Sequence, residues 1–424
     1  MIYYLYDILK DSNLPGVGLL NYITFRAMIA AIIAMVITMI FGKKFIAYLQ
    51  KKQIGETIRD LGLEGQLAKT GTPTMGGILI IIAILTSALL CANLGNVYIQ
   101  LLLLTTVWFG LLGFLDDYLK IHKHNKDGLA GKWKILGQVT LGLIIALFVC
   151  YHSDIFIKEK SGVVDESKVA TATVQSAPGQ NFDIKSEKVT KTTIPFIKSH
   201  EFDYAWLSPF KGKVGYYFKW AIYALMIILV ITACSNSVNL TDGMDGLATG
   251  TSVISGTVLG IFAYLGGNIV LADYLNIMYI PYSGEIVVFM AAFIGALIGF
   301  LWHNSYPAAI FMGDTGSLAI GGILGVCAIL IRKELLLPIL CGIFFIEALS
   351  VILQRGYFKY TKKKYGAGRR IWRMTPIHHH FQKEGIEAII QRPARALPEA
   401  KIVTRFWIVA ILLAFATLAL LKIR

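Results

Sequence analysis

The sequence is dominated by continuous runs of about 20 apolar residues, the length that an α-helix needs to cross the hydrocarbon core of a bilayer. Ten such runs are found, at residues 22–41, 71–94, 97–117, 133–150, 217–233, 246–266, 284–302, 315–331, 335–358 and 404–422. Apolar residues are contiguous within each run, whereas strands of a membrane β-barrel alternate apolar and polar residues. The runs therefore predict an all-α polytopic membrane protein with about ten transmembrane helices.

The composition of the 424 residues agrees with this fold class. Charged residues make up only 16% of the chain, against about 25% in soluble globular domains. This excludes a disordered chain and an ordinary soluble enzyme. The five cysteines lie in or beside apolar runs without a C-x-x-C pair, which indicates small buried side chains and excludes a disulfide-stapled domain. Asp7 and Asp11 precede the first run in place of a basic region, so no cleavable signal peptide is expected.

Lysine and arginine are distributed unevenly among the connections between runs. The connection after run 1 holds six, from Lys43 to Lys69, and the one after run 9 is the most basic, from Arg355 to Arg405, whereas those after runs 2 and 6 hold none. Because basic connections stay on the cytoplasmic side, odd-numbered connections are predicted to be cytoplasmic and both termini extracytoplasmic. The net charge of +14 is then mostly this topological signature, and no nucleic-acid partner is expected.

A polar connection at 151–216 interrupts the apolar pattern. It carries Lys and Asp/Glu in near balance, and stretches such as VTKTTIPFIK alternate as strands do. Since long connections are translocated largely regardless of charge, we predict a small β-rich extracytoplasmic insert that the chemistry does not need. The chain then divides into 1–150 with spans 1–4, the insert 151–216, and 217–424 with spans 5–10 and a cytoplasmic histidine-containing loop at 359–403.

Each unusual polar cluster follows an odd-numbered run and is therefore predicted on the cytoplasmic face. Asp116 and Asp117 end run 3, with Lys120 one helical turn further on. Adjacent carboxylates repel, which favours a bound cation or a retained proton. An ordinary polar helix end with an i,i+4 ion pair is the alternative.

Two further clusters lie at 235–246 and 303–317. In the first, four polar side chains recur every third residue: Asn236, Asn239, Asp242 and Asp245. A helical turn would align them, although two Asp-Gly steps favour a tight turn. In the second, Asp314 begins run 8, where the free N–H groups of a helix start suit a phosphate. A simple N-cap role for Asp314 is the alternative.

The fourth cluster, at 366–385, contains the run His378, His379 and His380. Without a Cys partner or an H-x-x-x-H pair, the run predicts a zinc site only weakly. Three arginines beside Trp372 also suit an amphipathic loop that only touches the membrane.

Carboxylates, amides, histidines and lysines on one membrane surface favour metal-assisted phosphoryl chemistry, because Mg²⁺ is usually held by carboxylates together with substrate phosphates. The acceptor would be drawn from lipid. A secondary transporter is disfavoured, since it places ionisable groups near the bilayer midplane in broken helices. A membrane scaffold that only binds leaves unexplained why carboxylates converge from three connections.

Five strings of the sequence resemble a known family: TPTMGG (72–77), FLDDYLK (114–120), NLTDGMDGLATG (239–250), FMGDTGS (311–317) and MTPIHHHFQKEG (374–385). The family is phospho-N-acetylmuramoyl-pentapeptide transferase, the translocase I of bacterial cell-wall synthesis. The PIHHHF run separates it from sister polyprenyl-phosphate hexosamine-phosphate transferases, which share the DD and GD motifs. The resemblance extends over nearly all of the chain except the insert, which departs from the short connection usual in the family.

The resemblance implies a ten-span homodimer of the bacterial inner membrane that uses Mg²⁺ on the cytoplasmic face. It implies transfer of phospho-MurNAc-pentapeptide from UDP-MurNAc-pentapeptide to undecaprenyl phosphate, giving lipid I and UMP. The transfer would be either direct, with Asp116 as the base, or through a covalent carboxylate intermediate, and we favour the direct version.

The site residues implied by the resemblance fall into four sets. Asp314 would be the Mg²⁺ ligand, with Asp116 and Asp117 in the catalytic pocket. Phe311 would stack on uracil, in a nucleotide pocket lined by Lys69, Asn239, Asp242, Asp245 and Asn304. His378, His379 and His380 would lie over the sugar-phosphate, and among them we ourselves expect His379 to be the most important. Thr74, Lys120, Lys132 and Gln354 would lie nearby.

Overall fold

The computed structural model describes residues 1–11, 15–52, 69, 71–122, 128–158, 186–195 and 201–421. Within this part, eight helices are long and apolar enough to cross a membrane. They are α2 (Ile23–Lys51), α4 (Val97–His122), α5 (Gly131–Tyr151), α6 (Gly212–Thr241), α7 (Leu247–Gly267), α9 (Glu285–Asn304), α10 (Gly313–Leu330) and α14 (Glu399–Leu420). The all-α polytopic fold class is thereby confirmed.

The second and ninth predicted runs differ from simple spans. In the second, α3 (Gly77–Cys91) has only 15 residues. Residues 71–76 before it are not helical, because Pro73 and Gly76 exchange backbone hydrogen bonds with Phe311. In the ninth, the helical segment Glu334–Leu340, which ends with α11 (Leu337–Leu340), meets α12 (Gly342–Tyr365) at an angle of 80°. The count of ten spans therefore stays a prediction.

Besides the 3₁₀ helices Val17–Asn21, Tyr204–Leu207 and Glu334–Leu336, the described chain contains three further short α-helices: α1 (Ile2–Leu9), α8 (Ile269–Leu275) and α13 (Ile377–Gln382). The last of these lies in the predicted histidine-containing loop. It carries the three histidines.

The centre of the bundle is α10, in which every residue from Thr315 to Leu330 is buried. Its first turn is approached closely by two glycines. A Cβ on Gly77 would lie 2.1 Å from the nitrogen of Gly316, and one on Gly113 would lie 2.2 Å from the carbonyl oxygen of Asp314. Because neither distance leaves room for a side chain, these glycines allow α3 and α4 to bring their backbones against the start of α10.

At the opposite end of the bundle, a buried ion pair joins α2 to α9. Arg26 Nη1 donates to Glu285 Oε2 at 2.8 Å, and the same guanidinium nitrogen donates to the carbonyl oxygen of Cys91 at 3.2 Å. The backbone nitrogen of Asn93 donates to the same carboxylate at 3.0 Å. The ends of α2, α3 and α9 are thus fixed to one another.

The insert contributes four short strands in two antiparallel pairs. β1 (Ile157–Lys158) pairs with β2 (Ser186–Glu187), and β3 (Lys191–Thr193) pairs with β4 (Glu201–Asp203). These four strands lie in the described part of 151–216, and residues 159–185 and 196–200 lie outside it, so the β-rich character of the insert stays a prediction. The extracytoplasmic position of the insert stays a prediction.

The β3–β4 pair packs on the turn that follows α10. The backbone nitrogen of Thr193 and the hydroxyl of Thr192 both donate to the carbonyl oxygen of Arg332, at 3.1 and 3.2 Å. Tyr204 donates its hydroxyl to Glu334 Oε1 at 3.2 Å. Arg332 and Glu334 are both buried. The insert therefore covers charged groups of the helical bundle at the C-terminal end of α10.

Candidate active site

Three carboxylates meet where the end of α4 faces the start of α10. One oxygen each of Asp116, Asp117 and Asp314 lies within 4.8 Å of the others. Asp116 and Asp117 are buried, and Asp314 is partly buried. The close approach of Gly113 to Asp314 is the local feature that brings the two helices together here.

Asp117 caps the start of α10. Its Oδ2 accepts from the backbone nitrogen and the hydroxyl of Thr315, at 2.9 and 2.6 Å, and its Oδ1 accepts from the nitrogen of Asp314 at 3.1 Å. Asp314 itself makes no capping hydrogen bond to this helix. The N-cap alternative for Asp314 is therefore wrong, since a carboxylate from another helix satisfies these N–H groups.

Two lysines bridge the carboxylates. Lys120 Nζ lies 2.6 Å from Asp116 and 3.2 Å from Asp314, and Lys134 Nζ lies 3.0 and 2.6 Å from the same two residues. The predicted i,i+4 ion pair between Asp116 and Lys120 is thus present. Lys132, which the resemblance places near the site, has an exposed side chain. It is Lys134 that contacts the carboxylates.

The amides of the second cluster are divided between two neighbours. Asn239 Nδ2 donates to Asp314 Oδ1 and to Ser317 Oγ, both at 2.9 Å, whereas Asn236 donates to Gln138 on α5 at 3.0 Å. Both lie on α6, which ends at Thr241 with Asp242 as its C-cap. The helix therefore does not align all four side chains, and Asp245 belongs to the turn that follows.

Asp245 contributes to a second charged network. Lys69 Nζ donates to Asp245 Oδ1 and to Glu399 Oε1, both at 2.6 Å. Asp245 Oδ2 accepts from the nitrogen of Ala308 at 3.0 Å, and Lys69 Nζ lies 6.0 Å from the centre of the Phe311 ring. Three residues implied for the nucleotide pocket, Lys69, Asp245 and Phe311, therefore lie close together.

Asn304 and Gln354 hold loops in place. Asn304 accepts from the Thr249 hydroxyl at 2.7 Å and donates to the carbonyl oxygen of Ile310 at 2.9 Å. Gln354 Oε1 accepts from the backbone nitrogens of Ile371 and Trp372 at 2.9 and 3.1 Å. These contacts support a positioning role for both amides.

Thr74 is buried beside the triad. A Cβ on Gly313 would lie 3.1 Å from Thr74 Oγ1 and 2.7 Å from Asp117 Oδ2. Gly313 has a φ of +73°, a backbone conformation that favours glycine. The segment before α3 therefore reaches the start of α10, as the resemblance implies.

The three histidines point in different directions. His378 is fully buried and its Nδ1 lies 3.1 Å from Glu347 Oε2. His379 Nδ1 lies 3.0 Å from Gln382 Oε1. His380 accepts from the nitrogen of Arg373 at 3.1 Å, while its Nε2 lies 2.8 Å from the carbonyl oxygen of Arg392. A loop that merely touched the membrane would not bury His378 and His380.

The histidines also face the DGMDG turn. A Cβ on Gly243 would lie 2.4 Å from His378 Nε2 and 3.4 Å from His379 Nε2. Burial, together with the neighbouring His378 ring, lowers the pKa of His379 to about 3. Burial also lowers the pKa of His380. Both rings are therefore neutral near pH 7.

Sequence reasoning missed three residues that the structure places in these networks: Lys134, Glu347 and Glu399. Glu347 offered a signal, because a lone carboxylate inside an apolar run indicates a specific partner. Glu399 follows Pro398 at the start of α14, where an acidic residue commonly serves only the helix dipole. Lys134 lies within the predicted run 133–150, and its spacing from Lys132 does not tell which of the two faces the carboxylates.

Comparison with known proteins gives two results. A family model described as glycosyl transferase family 4 matches residues 187–332, a range that includes Asp314. Relatives named phospho-N-acetylmuramoyl-pentapeptide-transferase, from Parabacteroides distasonis, Porphyromonas gingivalis and Flavobacterium psychrophilum, are each 53% identical to the chain. In each case the similarity covers 100% of this chain and 100% of the relative.

Proposed function

The chain belongs to the phospho-N-acetylmuramoyl-pentapeptide-transferase family, and from this premise we propose that it forms lipid I for peptidoglycan synthesis. It transfers phospho-MurNAc-pentapeptide from UDP-MurNAc-pentapeptide to undecaprenyl phosphate and releases UMP. The observation that carries the assignment is the carboxylate triad bridged by Lys120 and Lys134 at the start of a buried helix. The family name alone would not say where the reaction takes place.

The donor set of the triad fits Mg²⁺. Its three carboxylates are hard oxygen ligands, the kind that Mg²⁺ prefers. Lys120 and Lys134 contribute two ammonium groups beside the three carboxylates. The fully ionised cluster therefore has a net charge of −1, which favours a bound cation. Asp314 would hold the metal, and the metal would supply positive charge to the diphosphate when bound.

The chain's own residues would act on the phosphates as follows. A phosphate oxygen of undecaprenyl phosphate bonds to the β-phosphorus of the donor, and the bond from that phosphorus to the bridging oxygen breaks, so UMP leaves. Lys120 and Lys134 neutralise charge on the transferring group, and Asn239 orients Asp314. Asp116 accepts a proton from the lipid phosphate, whose second pKa is about 6, so little assistance is needed.

The contacts of Asp117 support direct transfer over a covalent intermediate. Both of its oxygens accept hydrogen bonds from the first turn of α10. A carboxylate used in this way is a poor nucleophile, because attack would break the cap. We therefore assign Asp117 to positioning α10 and Asp314 beside the substrate.

We further propose that the site faces the cytoplasm of a bacterial inner membrane. The supporting observation is that the ends of α4, α6 and α9 meet the starts of α5, α10 and α14 at the site. Two of the basic connections predicted to be cytoplasmic lead to these same ends, the one after run 3 from α4 to α5 and the one after run 9 from α12 to α14. The homodimer implied by the resemblance stays a prediction.

The proposal is tested with purified protein, UDP-MurNAc-pentapeptide and undecaprenyl phosphate, with and without Mg²⁺. Lipid I should form only when the metal is present. The Asp314→Asn variant should fold but keep less than a tenth of kcat, a loss of more than about 1.4 kcal/mol. Asp154→Asn, which changes an exposed carboxylate at the start of the insert, serves as the matched control and should keep the wild-type rate.

Two results would contradict the proposal. Lipid I formation in the presence of a chelator would remove the metal from the reaction. An Asp314→Asn enzyme with most of its activity would show that the triad is a structural cluster and that the reaction lies elsewhere.

A further inference from the structure

A basic cavity of about 550 Å³ lies between α12 and the histidine-containing loop. Arg355 and Lys359 line it from α12, and Arg370 and Lys383 line it from the loop. Its apolar wall includes Phe358 and Ile386. No carboxylate is among the described residues that line it, so the cavity presents positive charge beside apolar surface.

The cavity adjoins the histidines. Its lining includes Thr375, three residues before His378, and Lys383, three residues after His380. Three residues of extended chain span at most about 11 Å. The cavity is therefore next to the helix α13 that carries the histidines proposed to lie over the sugar-phosphate.

The loop wall of the cavity is held in place before any ligand binds. Arg373 Nη1 donates to the carbonyl oxygen of Lys383 at 3.0 Å, and Gln354 accepts from two backbone nitrogens of the loop. Arg370 Nη1 donates to the carbonyl oxygen of Arg373 at 3.2 Å, which leaves further guanidinium donors for another group. The acidic neighbours Glu384 and Glu387 are exposed and do not line the cavity.

We propose that this cavity binds a carboxylate of the donor's peptide, an inference that rests on the proposed function. Guanidinium and ammonium groups bind carboxylates through charge-assisted hydrogen bonds, and the apolar wall suits the carbon atoms of peptide side chains. A linear pentapeptide ends in a carboxylate and reaches about 17 Å when extended. From a sugar beside α13 it can reach the cavity, while the nucleotide occupies the region around Lys69.

The test compares two double variants of full-length protein. Arg355→Gln with Lys359→Gln removes two charges from the cavity. Lys362→Gln with Lys363→Gln removes two charges from exposed positions of the same helix and is the matched control. Calorimetry without acceptor measures the Kd of three donors: UDP-MurNAc-pentapeptide, its C-terminal amide, and UDP-MurNAc without peptide.

The cavity variant should bind the pentapeptide donor at least tenfold more weakly than wild type, and the control variant should bind it within twofold of wild type. Both variants should bind the peptide-free donor as wild type does. Amidation of the peptide should weaken binding to wild type and should have a smaller effect on the cavity variant, because the carboxylate's partners are already gone.

Three results would overturn the proposal. In the first, the Kd of all three donors is the same in the cavity variant as in wild type. In the second, the Kd rises equally for donors with and without peptide. Alternatively, only the KM for undecaprenyl phosphate rises in a transfer assay, which would assign the cavity to a lipid headgroup. Since the donor Kd is measured without transfer, a wild-type protein that binds donor but forms no lipid I refutes the proposed function and leaves the cavity result readable.

Discussion

Asp117 serves two purposes at once, since its carboxylate lies within the triad and also caps α10. Replacing it removes both a negative charge and the cap, which by itself stabilises a helix by about 1 kcal/mol. Asp314, in contrast, accepts from side chains only. Loss of activity in an Asp314 variant therefore reports on the chemistry more cleanly than loss in an Asp117 variant.

Lys134 and Lys132 form a natural matched pair. We expect Lys134→Gln to lower kcat about 100-fold, equivalent to about 2.7 kcal/mol, because Lys134 contacts both Asp116 and Asp314. Lys132→Gln should stay within a few-fold of wild type, since its side chain is exposed. Initial rates at saturating Mg²⁺ measure kcat for both variants. A larger loss of kcat in Lys132→Gln than in Lys134→Gln would support the role that the resemblance gives to Lys132.

The lowered pKa of His379 predicts a pH dependence of stability. The unfolded chain binds a proton at this residue below about pH 6.5, whereas the folded protein does so only near pH 3. The contribution of this residue is therefore fully present above pH 6.5 and is lost as the pH falls towards 3. Between pH 7 and 4, the unfolding temperature of His379→Gln should fall less than that of wild type. An equal fall in the two proteins would show that His379 does not contribute to this pH dependence.

At the site, the sequence predicted the carboxylates better than their partners. Asp116, Asp117 and Asp314 stand out because they belong to polar clusters that the parity of the runs predicts on one membrane face. The choice between Lys132 and Lys134 depends on the rotation of α5 about its axis, which packing against α4 and α6 determines. Glu399 lies 154 residues from the nitrogen of Asp245 to which it bonds, a separation that no local pattern can bridge.

At the scale of elements, the insert is partly integrated into the bundle. The β3–β4 pair and Tyr204 give hydrogen-bond partners to the Arg332–Glu334 turn, and Lys333 Nζ donates to the Thr193 hydroxyl. A buried polar group that loses its partner costs about 1–3 kcal/mol. The sequence predicted that the whole insert can be removed without affecting the rest of the protein. These contacts restrict that prediction to the part of the insert that does not pack on the turn after α10.

Two deletions separate these parts of the insert. Replacing 159–185 with a short Gly/Ser turn should leave stability and activity near wild type, because Lys158 and Ser186 are already opposite each other in β1–β2. Replacing 155–212 should lower the unfolding temperature by several degrees, since it uncovers the buried turn after α10. Thermal unfolding in detergent measures both, and equal temperatures for the two deletions would show that the contacts contribute no stability.

For the whole molecule, the alternation of basic connections predicts which end of the bundle is cytoplasmic. The structure brings the polar clusters to one end and the insert to the other, as the parity of the runs required. The apolar pattern alone did not predict the kink between α11 and α12 or the short α3, although Pro338 and Gly342 lie at the kink and Pro73 and Gly76 precede α3. Their shape depends on contacts with distant segments, such as that between residues 73–76 and Phe311.

Thiol labelling tests this topology directly. Lys363 lies in the last turn of α12, just before the histidine-containing loop. A cysteine at this position should react with a membrane-impermeant maleimide only after the cells are permeabilised. A cysteine at Ser153, at the start of the insert, should react in intact spheroplasts. The five native cysteines give little background, since four are buried and Cys150 is partly buried. Labelling of Lys363→Cys from outside would invert the assigned orientation.

The packing of β3 on the turn after α10 has a consequence for how the protein is made. Thr192 precedes Arg332 by 140 residues, so it leaves the ribosome first, by roughly 7–28 s at about 5–20 residues per second. From the predicted extracytoplasmic position of the insert, we expect β3 to be translocated before the turn after α10 reaches the same side of the membrane. The residues that hydrogen-bond to the turn after α10 are therefore synthesised before α10 itself is inserted. The order of the chain would then set the order in which these parts assemble.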